Sequence, residues 1–213
     1  FDEAQAKALK MVLSNKVSIM TGGPGVGKTT IIHALVDIFG QRKLDVVLAA
    51  PTGRAAKRME EATGHQAGTV HRLLKFNPRT GAFEHGPANP VEGDVFVLDE
   101  VSMMDVHLMS SFLGALPEHG CVVFVGDTDQ LPSIGPGNVL RDMIRSDAVP
   151  CTKLETIFRQ ETGGLIVKNA HRINHGEWLE TRGDGNLSDF YFMEVDGPDS
   201  AISALLTVVT RRI

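Results

Sequence analysis

Thr21-Gly22-Gly23-Pro24-Gly25-Val26-Gly27-Lys28-Thr29-Thr30 is the stretch that decides the fold of this chain. The run before it, Val17-Ser18-Ile19-Met20, is apolar and β-branched and reads as a buried strand. After it, Ile31, Ile32, Leu35, Val36 and Phe39 recur at the spacing of a helix with one buried face. Strand, glycine loop and helix is the setting a phosphate-binding loop requires, and G-x-x-x-x-G-K-T is complete from Gly22 to Thr29. The glycines let several backbone N–H groups converge on one centre, and the helix N-terminus adds a field that favours an anion. Lys28 is a compact, mobile positive charge suited to β- and γ-phosphates, and the Thr29 hydroxyl is a hard ligand for Mg²⁺. A plain glycine turn is the competing reading, and having both Lys28 and Thr29 in place argues against it.

Working outward, Asp94-Val95-Phe96-Val97-Leu98-Asp99-Glu100 reads as a buried strand ending in two carboxylates. Ligands of parallel α/β sheets bind beyond the carboxyl ends of the strands, which sets Asp99 and Glu100 beside the phosphate loop. Asp99 can hold Mg²⁺ opposite Thr29, and Glu100 can orient and deprotonate an attacking water. A further buried strand, Cys121 to Val125, runs into Gly126-Asp127-Thr128-Asp129-Gln130, whose Gln130 can contact a γ-phosphate or that water. Taken in isolation this segment is an Asp/Gly turn. Gln5, just before the loop, has an amide able to read adenine, although on its chemistry alone it is a solvent-exposed glutamine. Arg159 is a planar donor fork that, read alone, is a surface arginine.

Charge and composition narrow the class. The chain has 213 residues, 42% hydrophobic and 22% charged, as in ordinary globular α/β proteins. No apolar run approaches a membrane span, and no signal-peptide pattern opens the chain. Phe1 stands where an initiator Met would, so an excised or trimmed domain is expected. Cys121 and Cys151 form neither a metal pattern nor a disulfide framework, and a reducing, cytoplasmic setting is the default. With a net charge of −5, nucleic-acid binding requires a local patch. Residues 53–81 offer one, with six Lys/Arg (Arg54, Lys57, Arg58, Arg72, Lys75, Arg79) against two acids. A solvated helix face is the bland alternative for such a run.

The remaining elements follow from pattern. A helix is expected from the first residues through Leu13, with Ala6, Leu9 and Val12 on one face. Residues 45–50 read as a second buried strand and 54–62 as a helix. Phe76 to Phe83 reads as a turn between two short strands. Helices are expected over 138–144, 165–173 and 199–209, the last with Ile202, Leu205, Leu206 and Val209 inward, and a strand over 190–195. His171 and His175 lie four apart, but no third ligand fits, so they read as a solvated face.

Together these stretches resemble the superfamily 1 DNA helicases of the RecD/TraA-like branch. Gly22 to Thr29 is similar to motif I, and Gln5 to the adenine-reading glutamine. Residues 50–56 resemble motif Ia, and Thr69-Val70-His71-Arg72 a strand-binding segment. Leu98-Asp99-Glu100-Val101-Ser102-Met103 resembles motif II, residues 125–132 motif III, and Ile157-Phe158-Arg159-Gln160 motif IV. The resemblance implies a RecA-like P-loop NTPase fold, α/β, with a parallel sheet flanked by helices and a small β-hairpin insertion near 75–92. It implies a motor domain over 1–180 and the start of a second over 181–213. ATP and Mg²⁺ are the implied cofactors, with Gly23, Pro24, Gly25, Val26, Gly27, Lys28, Thr29 and Thr30 on the nucleotide. Gln5, Gln130 and Arg159 become nucleotide contacts. Pro51, Thr52, Arg54, Thr69, His71 and Arg72 become contacts to single-stranded DNA. The implied activity is ATP-driven unwinding of duplex DNA, 5′ to 3′, in recombination and repair, beside other subunits of such a complex. Motifs V and VI have no counterpart here. An arginine finger contributes roughly 10³–10⁵ in rate in related reactions, so slow hydrolysis by this chain alone is expected. The competing function is a nucleotide-dependent regulatory module without nucleic acid. A small-molecule kinase lacks an acceptor or lid signature here, and a GTPase lacks N-K-x-D.

Overall fold

The computed structural model describes residues 1–155, 164–181 and 189–212, with the backbone alone for Arg211 and Arg212. The chain divides into two compact units, residues 1–159 and 160–213.

In the first unit, β1 (Val17–Gly22), β2 (Val46–Ala50), β3 (Ala67–Thr69), β6 (Val95–Leu98), β7 (Cys121–Gly126) and β8 (Cys151–Leu154) form one sheet. Its order is β3-β2-β6-β7-β1-β8, and every pairing is parallel. Parallel strands are joined by crossovers that cover both faces, so the central strands carry apolar residues on each side. The two-residue period sorts them. Met20, Leu48, Ala50, Val95, Val97, Val123 and Val125 face one core, with Ile31, Ile32, Leu35, Val36 and Phe39 of α2 (Lys28–Gln41). That core also takes in α1 (Glu3–Ser14) and α3 (Gly53–Thr63). Ile19, Ala49, Phe96, Leu98, Val122 and Phe124 face the other, against α4 (Val70–Leu73), α5 (Val106–Gly114) and α6 (Val139–Arg145). Burying each large apolar side chain contributes about 1.5–3 kcal/mol, so α2 is held mainly by its five-residue stripe.

The hairpin insertion is present. β4 (Phe76–Asn77) and β5 (Ala82–Phe83) pair antiparallel, Phe76 opposite Phe83, and Gly81 turns at φ 67°. The Phe76, Phe83 and His71 rings meet edge-on or tilted with centroids 5.3–5.7 Å apart, fixing the hairpin to α4.

Four expectations are corrected. The inward face of α1 runs Gln5, Ala8 and Val12, not Ala6, Leu9 and Val12. Asp2 and Gln5 close a capping box that turns Gln5 inward, so Gln5 is buried where its polarity alone suggested exposure. Residues 190–195 form no strand. In α8 (Pro198–Arg212), Ile202, Leu205, Leu206 and Val209 are exposed within their unit rather than inward. Among the elements that went unread from sequence are β3, β8, the short α4 and α5. The second unit also holds α7 (Leu165–Asn174). Asn169 is buried and exchanges hydrogen bonds with the backbone of Glu180 in both directions, at 2.9 and 2.7 Å. No helix among the described residues is long and apolar enough to cross a membrane.

Gly22 shows how tightly the sheet constrains the loop. A Cβ there would sit 2.6 Å from the Leu154 carbonyl oxygen and 2.9 Å from Val26 Cγ2. Gly22→Ala therefore pushes β8 away from β1 and is expected to cost about 1–3 kcal/mol, read as a lowered midpoint in urea or thermal unfolding. An unchanged midpoint would remove this role for Gly22.

Candidate nucleotide site and nucleic-acid face

At the end of β1 the chain turns through Gly25 (φ 82°) and Gly27 (φ 83°), both left-handed, a conformation that costs an L-residue about 1–2 kcal/mol. Gly27 is the N-cap of α2 and supplies no side-chain cap, so the first N–H groups of the helix remain for an anion. The Lys28 ammonium donates to the carbonyls of Gly22 and Gly23, the latter at 2.9 Å, which holds it over the loop. Val26 departs from the rest of the loop. Its side chain is buried in the core, and its carbonyl accepts from Gln5 Nε2 at 3.4 Å.

β6 lies one strand away, with β7 between it and β1. Just beyond its end, Asp99 Oδ1 accepts the Glu100 backbone N–H at 2.8 Å. Glu100 sits at φ 55°, left-handed for a residue with a Cβ, a strained conformation of the kind that collects at functional sites. Burial pushes the Asp99 carboxyl up to about 6. The Glu100 N–H opposes that shift, the Glu100 charge adds to it, and Lys28 opposes it least. Desolvation wins because the neighbouring Lys28 does not replace the lost water.

These parts meet in one cleft of about 1160 Å³. Gln5, Gly23, Pro24, Gly25, Gly27, Lys28, Thr29, Thr30, Asp99, Glu100 and Gln130 all line it. The cleft suits a magnesium–nucleotide. It combines a backbone cradle, a cation, a hydroxyl and a buried carboxylate short of positive charge. Gln130 rides a loop held at its base by buried Asp127, whose Oδ1 accepts the Asp129 N–H at 3.0 Å. Arg159 lies outside the described residues.

The candidate DNA contacts gather further along the same sheet edge. Ala50 pairs with Thr69 in the β2–β3 ladder, so Pro51-Thr52 and Val70-His71 leave adjacent strand ends side by side. Thr52 caps α3 by accepting the Ala55 N–H at 3.2 Å, and Thr69 caps α4 by accepting that of Arg72 at 3.1 Å. Each hydroxyl keeps its own O–H to donate. Arg54, His71 and Arg72 are exposed. In the second unit, His175 Nδ1 lies 2.8 Å from the His171 carbonyl oxygen.

The sequence reading missed one wall of the cleft. Ala55, Arg58, Met59 and Ala62 of α3 line it, as do Phe1 and Asp2. The signal was available, since 55, 58, 59 and 62 share one helical stripe. Arg58 had instead been counted with the basic segment.

A family model described as an AAA domain matches residues 5–136. The chain is 42% identical over 175 residues to the ATP-dependent RecD2 DNA helicase of Deinococcus radiodurans, covering 82% of this chain and 24% of that protein. It is 36% identical over 206 residues to the RecBCD enzyme subunit RecD of Mycobacterium tuberculosis, covering 83% and 35%. It thus spans a quarter to a third of the length of these relatives. Among solved structures, the Pif1 helicase of Candida albicans superposes with a TM-score of 0.61 at 20% identity, covering 83% of this chain and 44% of that one. Bacteroides Pif1 bound to ssDNA superposes at 0.57 and 22% identity, covering 82% and 46%. At such identities these two likenesses speak for the fold, a RecA-like parallel sheet. The chain belongs to the AAA-domain family, and over the aligned region its sequence is similar to those of RecD2 and RecD.

Proposed function

We propose that the chain acts as the nucleotide-binding motor domain of an ATP-dependent DNA helicase that moves 5′ to 3′ along single-stranded DNA in recombination and repair. One observation carries the reading. The phosphate loop, the Asp99–Glu100 pair and Gln130 share a cleft, and Thr52, Arg54, Thr69 and His71 stand on the same sheet edge. The relatives support it by name, being DNA helicases or RecBCD subunits.

In this mechanism the loop amides and Lys28 bind and orient the triphosphate. Thr29 and Asp99 would hold Mg²⁺, which supplies neutralisation of phosphate charge when bound. Glu100 accepts the proton of the attacking water, and Arg159 balances charge as it moves toward the leaving group. Gln130 links the γ-phosphate end of the cleft to the loop that carries it. Arg54 and Arg72 grip the DNA backbone. The setting is cytoplasmic, and further subunits are partners of the whole protein.

Fluorescence anisotropy of a labelled single-stranded oligonucleotide against salt, with and without ATP–Mg²⁺, tests the coupling. Binding is expected to weaken with salt and to respond to nucleotide. Replacing Arg54, Arg72 and Lys75 by Ala should flatten the slope by about 0.7 per lost phosphate contact. Salt-independent or absent binding, with intact ATP binding, would favour a regulatory module instead.

The Asp99 carboxyl gives a second test. Its folded value, about 6, lies above the ordinary 3.8. The folded chain therefore binds the proton more tightly, and stability falls as pH rises from about 4 to 6. Asp99→Asn removes that cost. The metal-free variant should be more stable than wild type by about 3 kcal/mol at pH 7.5, with the difference vanishing near pH 4. The same variant should lose the stabilisation wild type gains from ATP–Mg²⁺. A variant less stable at pH 7.5 would contradict the assignment.

A further inference from the structure

Helix α3 gives the cleft a wall that neither the phosphate loop nor the Asp99–Glu100 pair explains. Ala55, Arg58, Met59 and Ala62 line it on one stripe of the helix, with Met59 buried in the core beneath and the apolar Ala55 and Ala62 at its surface. An apolar stripe does not solvate a phosphate. It suits the flat face of a base. Beside it stands a cation whose charge is not spent. Lys57 pairs with Glu61 at 3.8 Å, and Glu60 accepts the Ala67 N–H at 3.1 Å. Both acids of α3 are thus engaged, and four residues on from Arg58 is Ala62 rather than a carboxylate. Arg58 is exposed and, among the described residues, has no ion pair or hydrogen bond. The two side-chain cations lining the cleft are Lys28 and Arg58, and Lys28 is committed to the loop carbonyls.

We propose that Arg58 is a nucleotide-contacting residue, its guanidinium stacking on the base of bound ATP against the apolar stripe of α3. This rests on the nucleotide reading of the cleft and takes Arg58 out of the DNA-binding segment. A guanidinium is planar and weakly hydrated, so it covers a π face at lower desolvation cost than an ammonium does. Because Arg58 is exposed, its replacement leaves the core intact.

The test is titration of wild type and R58A with ATP, ADP and AMP, each with Mg²⁺, and parallel oligonucleotide anisotropy against salt. All three nucleotides carry the same base, so R58A should weaken each by the same factor, about three- to tenfold. The DNA salt slope should stay that of wild type. A loss that grows from AMP to ATP would place the guanidinium on phosphate and overturn the stacking. Unchanged nucleotide affinity together with a weakened DNA slope would return Arg58 to the DNA face. Wild type failing to bind ATP at all would overturn the nucleotide reading and this inference with it. An unaffected R58A on a binding-competent wild type would overturn the inference alone.

Discussion

Parallel pairing forces the carboxyl ends of all six strands onto one edge of the sheet, and the placement of every functional group in the first unit depends on it. The segments that follow β1, β2, β3, β6 and β7 carry Lys28, Thr52, His71, Asp99 and Gln130 respectively, Lys28 and His71 in the first turns of α2 and α4. Only β7 separates the phosphate loop from Asp99, so the two strand axes lie roughly 10 Å apart, room for a polyphosphate between them. The ladder also explains why Gly22 is a packing residue as much as a loop residue. Its lack of a Cβ lets β8 close on β1 where the loop begins.

The electrostatics of the cleft are those of a site built against its own apo stability. A carboxylate at Asp99 has lost water without gaining enough positive charge, and Lys28, the nearby cation, is bonded to Gly22 and Gly23. Glu100 adds a second negative charge and a strained backbone. None of this is how a fold maximises stability. A divalent cation with a polyphosphate would offset the electrostatic part, supplying the charge Asp99 lacks and an anion for the α2 N-terminus and Lys28.

How far the sequence could be read follows from what each element depends on. The α2 stripe and the β6 run are strong local patterns backed by burial on known faces, and both stand as read. The loop, Asp99, Glu100 and Gln130 were legible as chemistry, and their convergence followed from strand-end logic. Three kinds of element were not legible. α5 (VHLMSSFLG) is apolar around much of its circumference, so periodicity does not announce it. β3 and β8 are edge strands of three and four residues whose existence depends on a neighbouring ladder. Residues 190–195 have strand composition, yet composition supplies the capacity to pair and not a ladder. Gln5 failed for a different reason. Polarity argued for the surface, while a capping box and a loop carbonyl satisfied its amide in the interior.

Helix α3 is where the two halves of the edge meet. Its N-terminal turn begins at Thr52 and Arg54, beside the end of β3, and its flank carries Arg58, Met59 and Ala62 along the nucleotide cleft. Ala56 and Met59 bury it in the core with α2, the helix that starts from the phosphate loop. A packed interior resists continuous deformation, so a shift at the loop that moves α2 is borne by α3 as a rigid rod. Eleven residues at 1.5 Å each span roughly 16 Å, enough to run from the Thr52 end to the flank that lines the cleft without an intervening hinge. Coupling between the two ligands then needs no separate relay. On the proposed function, it would need α3 to hold two positions against α2, with nucleotide and DNA each favouring one of them.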